Sequence, residues 1–178
     1  MNQSTMITKK VVMLGLWGAG KTSLVSRFVN QIFSEDYHAT LGVKMDTKLV
    51  KVDDREIKMI LWDLAGSDGN FSLPKHFLSG SAAFVIVLDC TREESVVKGA
   101  EIIQEMKTIV GDIPFIVALN KVDLDGTVSE ATARTLLEKQ TNQIVKLLPT
   151  SAKTGENVEN IFQQLAQTLL AKIKTEKI

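Results

Sequence analysis

Gly15-Leu16-Trp17-Gly18-Ala19-Gly20-Lys21-Thr22 follows the apolar run Lys10-Val11-Val12-Met13-Leu14 and leads straight into Ser23-Leu24-Val25, where apolar residues begin to recur at helical spacing. A glycine-rich turn between a strand and a helix, closed by lysine and a hydroxyl residue, fits the pattern G-x-x-x-x-G-K-[ST] in the setting that gives it meaning. Glycines let the backbone fold around an anion with its N–H groups pointing inward, and the first turn of the following helix adds its positive dipole end. Lys21 then supplies a point charge for the outer phosphates, and Thr22 offers a hydroxyl to magnesium, which prefers a few such oxygens together with phosphate and water. The plainer alternative is a glycine turn beside a surface lysine; position between strand and helix argues against it.

Working outward, short β-branched runs alternate with helical periods along the whole chain, without an internal repeat, low-complexity tract or linker. Strands are expected at Lys10 to Leu14, Lys44 to Val52, Ile57 to Asp63, Ala83 to Asp89, Phe115 to Asn120 and Ile144 to Pro149, with Asp53-Asp54 as the turn between the second and third. Helices are expected near Lys21 to Asn30, Ser95 to Val110, Ser129 to Lys139 and Val158 to Lys174. Runs such as Phe84-Val85-Ile86-Val87-Leu88 are apolar throughout, as strands covered by helices on both faces should be. The expected fold is therefore α/β, a three-layer P-loop NTPase arrangement: a mostly parallel six-stranded sheet with one antiparallel strand and helices on both faces. At 178 residues the chain fits one domain, 1–178.

The bulk numbers exclude several function classes. Lys plus Arg and Asp plus Glu are both 21, so no net field draws the chain to nucleic acid or an anionic bilayer. The lone cysteine, Cys90, rules out an intramolecular disulfide and a cysteine zinc cluster, and suits a reducing cytoplasm. No apolar run approaches the roughly 20 residues of a membrane span. Neither a signal peptide nor a lipidation motif is read at either end, so the expectation is a cytoplasmic protein that is peripheral to membranes only through a partner, with no direct lipid anchor.

In parallel sheets ligands bind beyond the carboxyl ends of the strands, which directs attention to three further segments. Trp62-Asp63-Leu64-Ala65-Gly66 ends the third strand, placing Asp63 where it can hold magnesium through water, while Gly66 can lend an N–H to a terminal phosphate. Read alone, it is an ordinary strand-end turn; the first motif raises it. Asn120-Lys121-Val122-Asp123 follows the fifth strand and Ser151-Ala152-Lys153 the sixth. A carboxylate such as Asp123 accepts both the ring N–H and the exocyclic amine of guanine, an arrangement adenine does not offer. The Ala152 N–H can donate to the guanine oxygen, and the Lys121 stem can cover one face of the base with its charge still wet.

With these segments in hand the chain resembles the Ras superfamily over about Lys9 to Ala171, and its texture is Rab-like. The resemblance implies a GTP-binding molecular switch with GTP or GDP and Mg²⁺ as ligands, and exchange factors, GTPase-activating proteins and effectors as partners. It maps the first switch onto Phe28 to Val43, with Thr40 on magnesium and the γ-phosphate, Phe33 edge-on to the base and Tyr37 closing over the phosphates. Both aromatics have the alternative of simple core or surface roles. Nucleotide contacts are expected from Gly15, Trp17, Gly18, Ala19, Gly20, Lys21, Thr22, Ser23, Phe33, Tyr37, Thr40, Gly66, Asn120, Lys121, Asp123, Ser151, Ala152 and Lys153; magnesium from Thr22, Thr40 and Asp63; catalysis from Lys21, Thr40, Gly66 and Ser67.

Two departures from the family pattern stand out. Relatives mostly read D-T-A-G-Q-E where this chain reads Asp63-Leu64-Ala65-Gly66-Ser67-Asp68, so Ser67 replaces the glutamine that orients the attacking water. Serine is too short to reach the same place, and phosphoryl transfer depends on positioning, so slow intrinsic hydrolysis is expected. A scaffold that holds GTP or GDP without hydrolysing it is the alternative. Asp68 and His76 are candidate substitutes for the lost glutamine, although a histidine on a helix surface is the plainer reading of His76. Trp17 occupies a loop position where an activating partner would insert an arginine. It either obstructs that entry, makes a new partner contact, or packs against the second switch.

Overall fold

A computed structural model describes residues 6–34, 42–66, 75–141 and 146–175 of the chain. Eleven elements run in the order β1 (Ile7–Leu14), α1 (Lys21–Asn30), β2 (Val43–Val52), β3 (Arg55–Leu64), α2 (Lys75–Leu78), β4 (Ala83–Asp89), α3 (Glu93–Val110), β5 (Phe115–Asn120), α4 (Glu130–Thr141), β6 (Leu147–Pro149) and α5 (Val158–Thr175). They form one six-stranded sheet in the order β2-β3-β1-β4-β5-β6. Every pairing is parallel except β2 with β3, which meet as a hairpin across Asp53-Asp54 in the register Val52↔Arg55. This is the expected α/β architecture.

The period-two alternation of β1 sorts the core into two layers. Val11 and Met13 face one side with Val85 and Val87 of β4 and Ile116 and Ala118 of β5, covered by α1 and α5. Val12 and Leu14 face the other with Phe84, Ile86, Leu88, Val117 and Leu119, covered by α3 and α4. All seven residues of β4 are buried, which is why its sequence shows no polar alternation. Phe28 of α1 and Phe162 of α5 stack with centroids 3.9 Å apart and 13° between planes, locking the two helices of the first layer together.

Several boundaries differ from the sequence expectation. Phe28 to Asn30, at the start of the stretch that the resemblance maps to the first switch, are the last turn of α1, with Phe28 fully buried. The helical period of Leu24, Val25 and Phe28 carries those residues into the core. Helix α3 starts at Glu93, where two acidic side chains in the first turn suit the dipole. Ser129 stands before α4 as its cap, its Oγ accepting the Thr132 N–H at 3.1 Å, so that helix begins at Glu130. Strand β6 begins at Leu147, and residues 142–145 lie outside the described residues. The short α2 had no counterpart in the periodicity, since four residues give no period to read. Lys10 fixes its end: its Nζ donates to the carbonyls of Phe77 at 2.7 Å and Ser79 at 2.9 Å and lies 3.8 Å from the centroid of the Trp62 ring.

Because β1 sits at the centre, with β3 on one side and β4 on the other, the loop leaving its carboxyl end opens at the point where strand order changes direction. Open α/β sheets place their ligand crevice at such a point. The loops after β3, β4, β5 and β6 reach the same rim.

Candidate functional site

The loop between β1 and α1, residues 15–20, is built by backbone constraint. Gly20 has φ +99°, and a Cβ there would lie 2.2 Å from the Asn120 amide nitrogen, so neither its conformation nor its space admits a larger residue. Asn120 exploits that closeness. Its Nδ2 donates to the Ala19 carbonyl at 3.0 Å, and its Oδ1 accepts from the Thr150 hydroxyl and the Ala152 N–H, both at 3.3 Å. One buried amide thus joins the glycine-rich loop to the loops after β5 and β6.

Lys21 is 5% exposed, and its Nζ donates to the carbonyls of Gly15 at 3.0 Å and Leu16 at 3.1 Å. Burial lowers its pKa to about 8, with the nearby Asp63 charge opposing and the Arg92 charge reinforcing the shift. An ammonium destabilised in this way gains from an anion brought alongside it. Thr22 Oγ1 donates to Asp63 Oδ2 at 2.5 Å. Asp63 is fully buried, and its Oδ1 has no hydrogen-bond partner among the described residues. Burial raises the Asp63 pKa, against the Thr22 hydrogen bond and the Lys21 charge. A buried carboxylate oxygen left unpaired beside a threonine hydroxyl is costly unless a cation completes it, and this donor pair suits magnesium. Among the described residues no group of three or more His, Cys, Asp or Glu gathers to form a metal cage. Magnesium fits that arrangement too, because it takes most of its remaining ligands from phosphates and water.

Gly66, just after β3, meets the glycine-rich loop from the other side. A Cβ on it would lie 2.4 Å from the Trp17 Cα and 2.8 Å from Lys21 Nζ, so Gly66 lies directly against the glycine-rich loop. The Trp17 backbone is therefore packed, while 52% of the residue's surface remains exposed.

A cavity of about 420 Å³ opens beside this loop, within the range of small-molecule sites. It is lined from the loop and α1 by Gly18, Gly20, Thr22, Ser23 and Ser26, from the segment after α1 by Phe33 and Ser34, and from the two rim loops by Asn120, Lys121, Asp123, Leu124, Ala152 and Lys153. Ser151 is fully buried and instead positions its neighbour, its Oγ donating to Asp123 Oδ1 at 2.6 Å while accepting the Thr154 N–H at 3.0 Å. Asp123 is thereby held with a second oxygen free to accept from a ligand. Lys121 has φ +71°, an uncommon backbone state for a side-chain-bearing residue. It is held there by three contacts: its Nζ on Asp89 Oδ2 at 2.7 Å, and its carbonyl accepting from the Leu124 N–H at 2.9 Å and the Cys90 thiol at 3.2 Å.

Three side chains that the motifs did not reveal support this rim. Arg27 of α1 donates to the Ala152 carbonyl at 2.8 Å and also to the Lys153 carbonyl, clasping the loop after β6. Asp89, 1% exposed at the end of β4, accepts from Lys121, Thr91 and Arg92. Burial alone would raise its pKa, but the hydrogen bonds from Lys121 and Thr91 outweigh it and the net shift is downward. Arg92 joins Asp89 to the Trp17 carbonyl. Asp89 had a signal, its place at the carboxyl end of a parallel strand; Arg27 and Arg92 belong to no sequence pattern.

Among the other sequence candidates, Gly15 and Ala19 contribute to the loop without lining the cavity. His76 is exposed on α2 with its ring centroid 4.1 Å from that of Phe77, as expected of a helix-surface histidine. Tyr37, His38, Thr40, Ser67 and Asp68 lie outside the described residues.

A family model described as the Ras family matches residues 10–171. The Ypt/Rab-type GTPase ypt7 of Pyricularia oryzae is 34% identical over 183 residues, covering 99% of this chain and 89% of the relative. Ras-related protein Rab7 of Pisum sativum is 36% identical over 95% of this chain and 85% of its own length. Ras-related protein Rab7 of Drosophila melanogaster is 38% identical over 90% of this chain and 80% of its own length.

Proposed function

The chain belongs to the Ras family of GTP-binding switch proteins and is Rab-like within it, and on that premise we propose that it hydrolyses GTP slowly on its own and relies on a partner for rapid turnover. The observation that carries the guanine part is one cavity lined both by a Ser151-braced Asp123 and by Gly18, Gly20 and Thr22 of the glycine-rich motif. Asp123 accepts from the guanine N–H groups, the Lys121 stem covers the base, and Phe33 meets its edge. Backbone amides of the turn Gly18-Ala19-Gly20 with Lys21 Nζ would take the phosphates, the Ala19 N–H leaving the Leu16 carbonyl to which it is donated at 3.2 Å.

Magnesium would be held by Thr22 and Asp63, with Thr40 as a further ligand by family resemblance. When bound it would supply positive charge that offsets the phosphates. The catalytic work left to the chain is positional: Lys21 stabilises charge on the outer phosphates, and Gly66 donates its N–H toward the terminal one. Ser67 in place of a glutamine leaves the attacking water without its orienting amide, which supports slow intrinsic hydrolysis. The switch reading rests on the family resemblance: Thr40 and Gly66 would be drawn in by the γ-phosphate and released after hydrolysis, so that effectors distinguish the two states. Activity in the cytoplasm, as one domain spanning 1–178 and reaching membranes through a partner, completes this reading. Among the described residues no helix is long and apolar enough to cross a membrane.

Single-turnover hydrolysis of bound GTP, with and without cell extract, tests the proposal. The expected result is phosphate release slower than the order of 10⁻⁴ s⁻¹ alone and faster with extract. No release in either arm would overturn it in favour of a scaffold that holds its nucleotide permanently. The close packing of Gly66 on Trp17, at the side where a partner's arginine would enter, is the observation that keeps this second reading.

A further inference from the structure

Asp89 is a buried carboxylate that no step above uses, yet it touches both halves of the site. Its Oδ2 accepts from Lys121 Nζ at 2.7 Å and from Arg92 Nε at 3.2 Å, and its Oδ1 accepts from the Thr91 N–H at 2.9 Å and hydroxyl at 2.6 Å. Arg92 then donates through Nη2 to the Trp17 carbonyl at 2.8 Å, and its Nη2 lies 3.9 Å from where a Gly18 Cβ would sit. A carboxylate with four hydrogen bonds has essentially no freedom left. Two cations drawn onto one of its oxygens from separate loops are thus fixed relative to each other.

We infer that Asp89 and Arg92 are positioning residues that join the base-binding loop to the phosphate loop, so that the grip on the purine and the grip on the phosphates are set together. The chain of contacts runs from the Lys121 stem, through Asp89 and Arg92, to the carbonyl of Trp17, one residue before Gly18. It is the charged counterpart of the Asn120 bridge and meets the loop at the Trp17 carbonyl, where Asn120 meets it at that of Ala19. Its consequence is kinetic. A nucleotide leaves when the two grips release, and loosening either end of the tether loosens the other. The inference rests on the guanine-nucleotide reading of the cavity.

The Arg92 side chain is 37% exposed, so its truncation removes the tether without opening the core. Arg92→Ala is expected to speed dissociation of a fluorescent GDP analogue roughly fivefold to tenfold, the range of a charge-assisted hydrogen bond discounted for solvent exposure. Arg92→Lys, which retains the charge but cannot span both partners, should fall between. Because both cations act through one carboxylate, the rate increases of Arg92→Ala and Lys121→Ala should fail to multiply in the double variant, by about threefold or more.

In a Trp62→Phe background Trp17 is the only tryptophan. There Arg92→Ala should alter acrylamide quenching of Trp17 emission, a response that a fold defect elsewhere would not give. Strictly multiplying rates, or unchanged quenching, would overturn the inference. So would slower hydrolysis of GTP with GDP release unchanged, because Arg92 would then be acting on the reaction and not as a tether. If the parent protein holds no GDP, the nucleotide reading fails instead, while the quenching comparison still decides whether Arg92 fixes the loop.

Discussion

Asp123 illustrates how one carboxylate is made selective. Ser151 occupies one of its oxygens at 2.6 Å, which restrains the group and leaves the other oxygen available at the cavity wall. Replacing Asp123 by Asn turns one acceptor into a donor and repels the guanine N–H groups. Competition measurements should show GTP losing its preference over other purine triphosphates by about 100-fold or more; an unchanged preference would remove Asp123 from base recognition. Asp89 makes a pH prediction. Its folded pKa is below the unfolded carboxylate value of about 3.9, so its contribution to stability is fully present above that value and is lost as pH falls through the folded one. Urea midpoints of the parent and Asp89→Asn, followed from about pH 6 to about pH 3, should therefore converge at the acid end. Divergence there would mean that Asp89 is not ionised in the fold.

Among the elements, α1 has the most tasks. Its first turn carries Lys21 and Thr22, its inner face buries Leu24, Val25 and Phe28, and Arg27 clasps the loop after β6. The Phe28 and Phe162 stack is what sets α1 against α5, and Lys48 adds its ammonium 4.9 Å from the Phe28 ring centroid. Phe28→Ala should cost about 3–5 kcal/mol in denaturant unfolding, the range for emptying a buried aromatic site. A loss under about 1 kcal/mol would show that α5 closes the gap. The elements also show where sequence reading works. Strand β4 and strand β5 were legible to the residue because burial on both faces leaves an unbroken apolar run. Helix α2 was not, and the start of α3 was placed two residues late, because short helices and first turns carry polar caps and not periodicity.

For the whole molecule, the cavity and the unpaired Asp63 oxygen imply that ligand and fold are linked. GDP with magnesium at 100 times its dissociation constant should add about 2.7 kcal/mol of stability, and chelating the metal should lower the melting temperature of the nucleotide-bound protein. A melting temperature indifferent to both would contradict the site. The sequence by itself determined the α/β class, the six strands and the loops that meet at one rim, because hydrophobic period and glycine-rich punctuation are local signals. It likewise singled out Lys21, Thr22, Asp63 and Asp123, because the chemistry of phosphate, magnesium and guanine demands those groups in fixed local patterns. Only the tertiary structure decided how they are held. Arg27 meets Ala152 across 125 positions, Trp17 meets Arg92 across 75, and Lys121 shares Asp89 with Arg92. Such partners are chosen by the packing of strands around β1, and nothing in the local order of residues encodes which distant charge or carbonyl that packing will bring within reach.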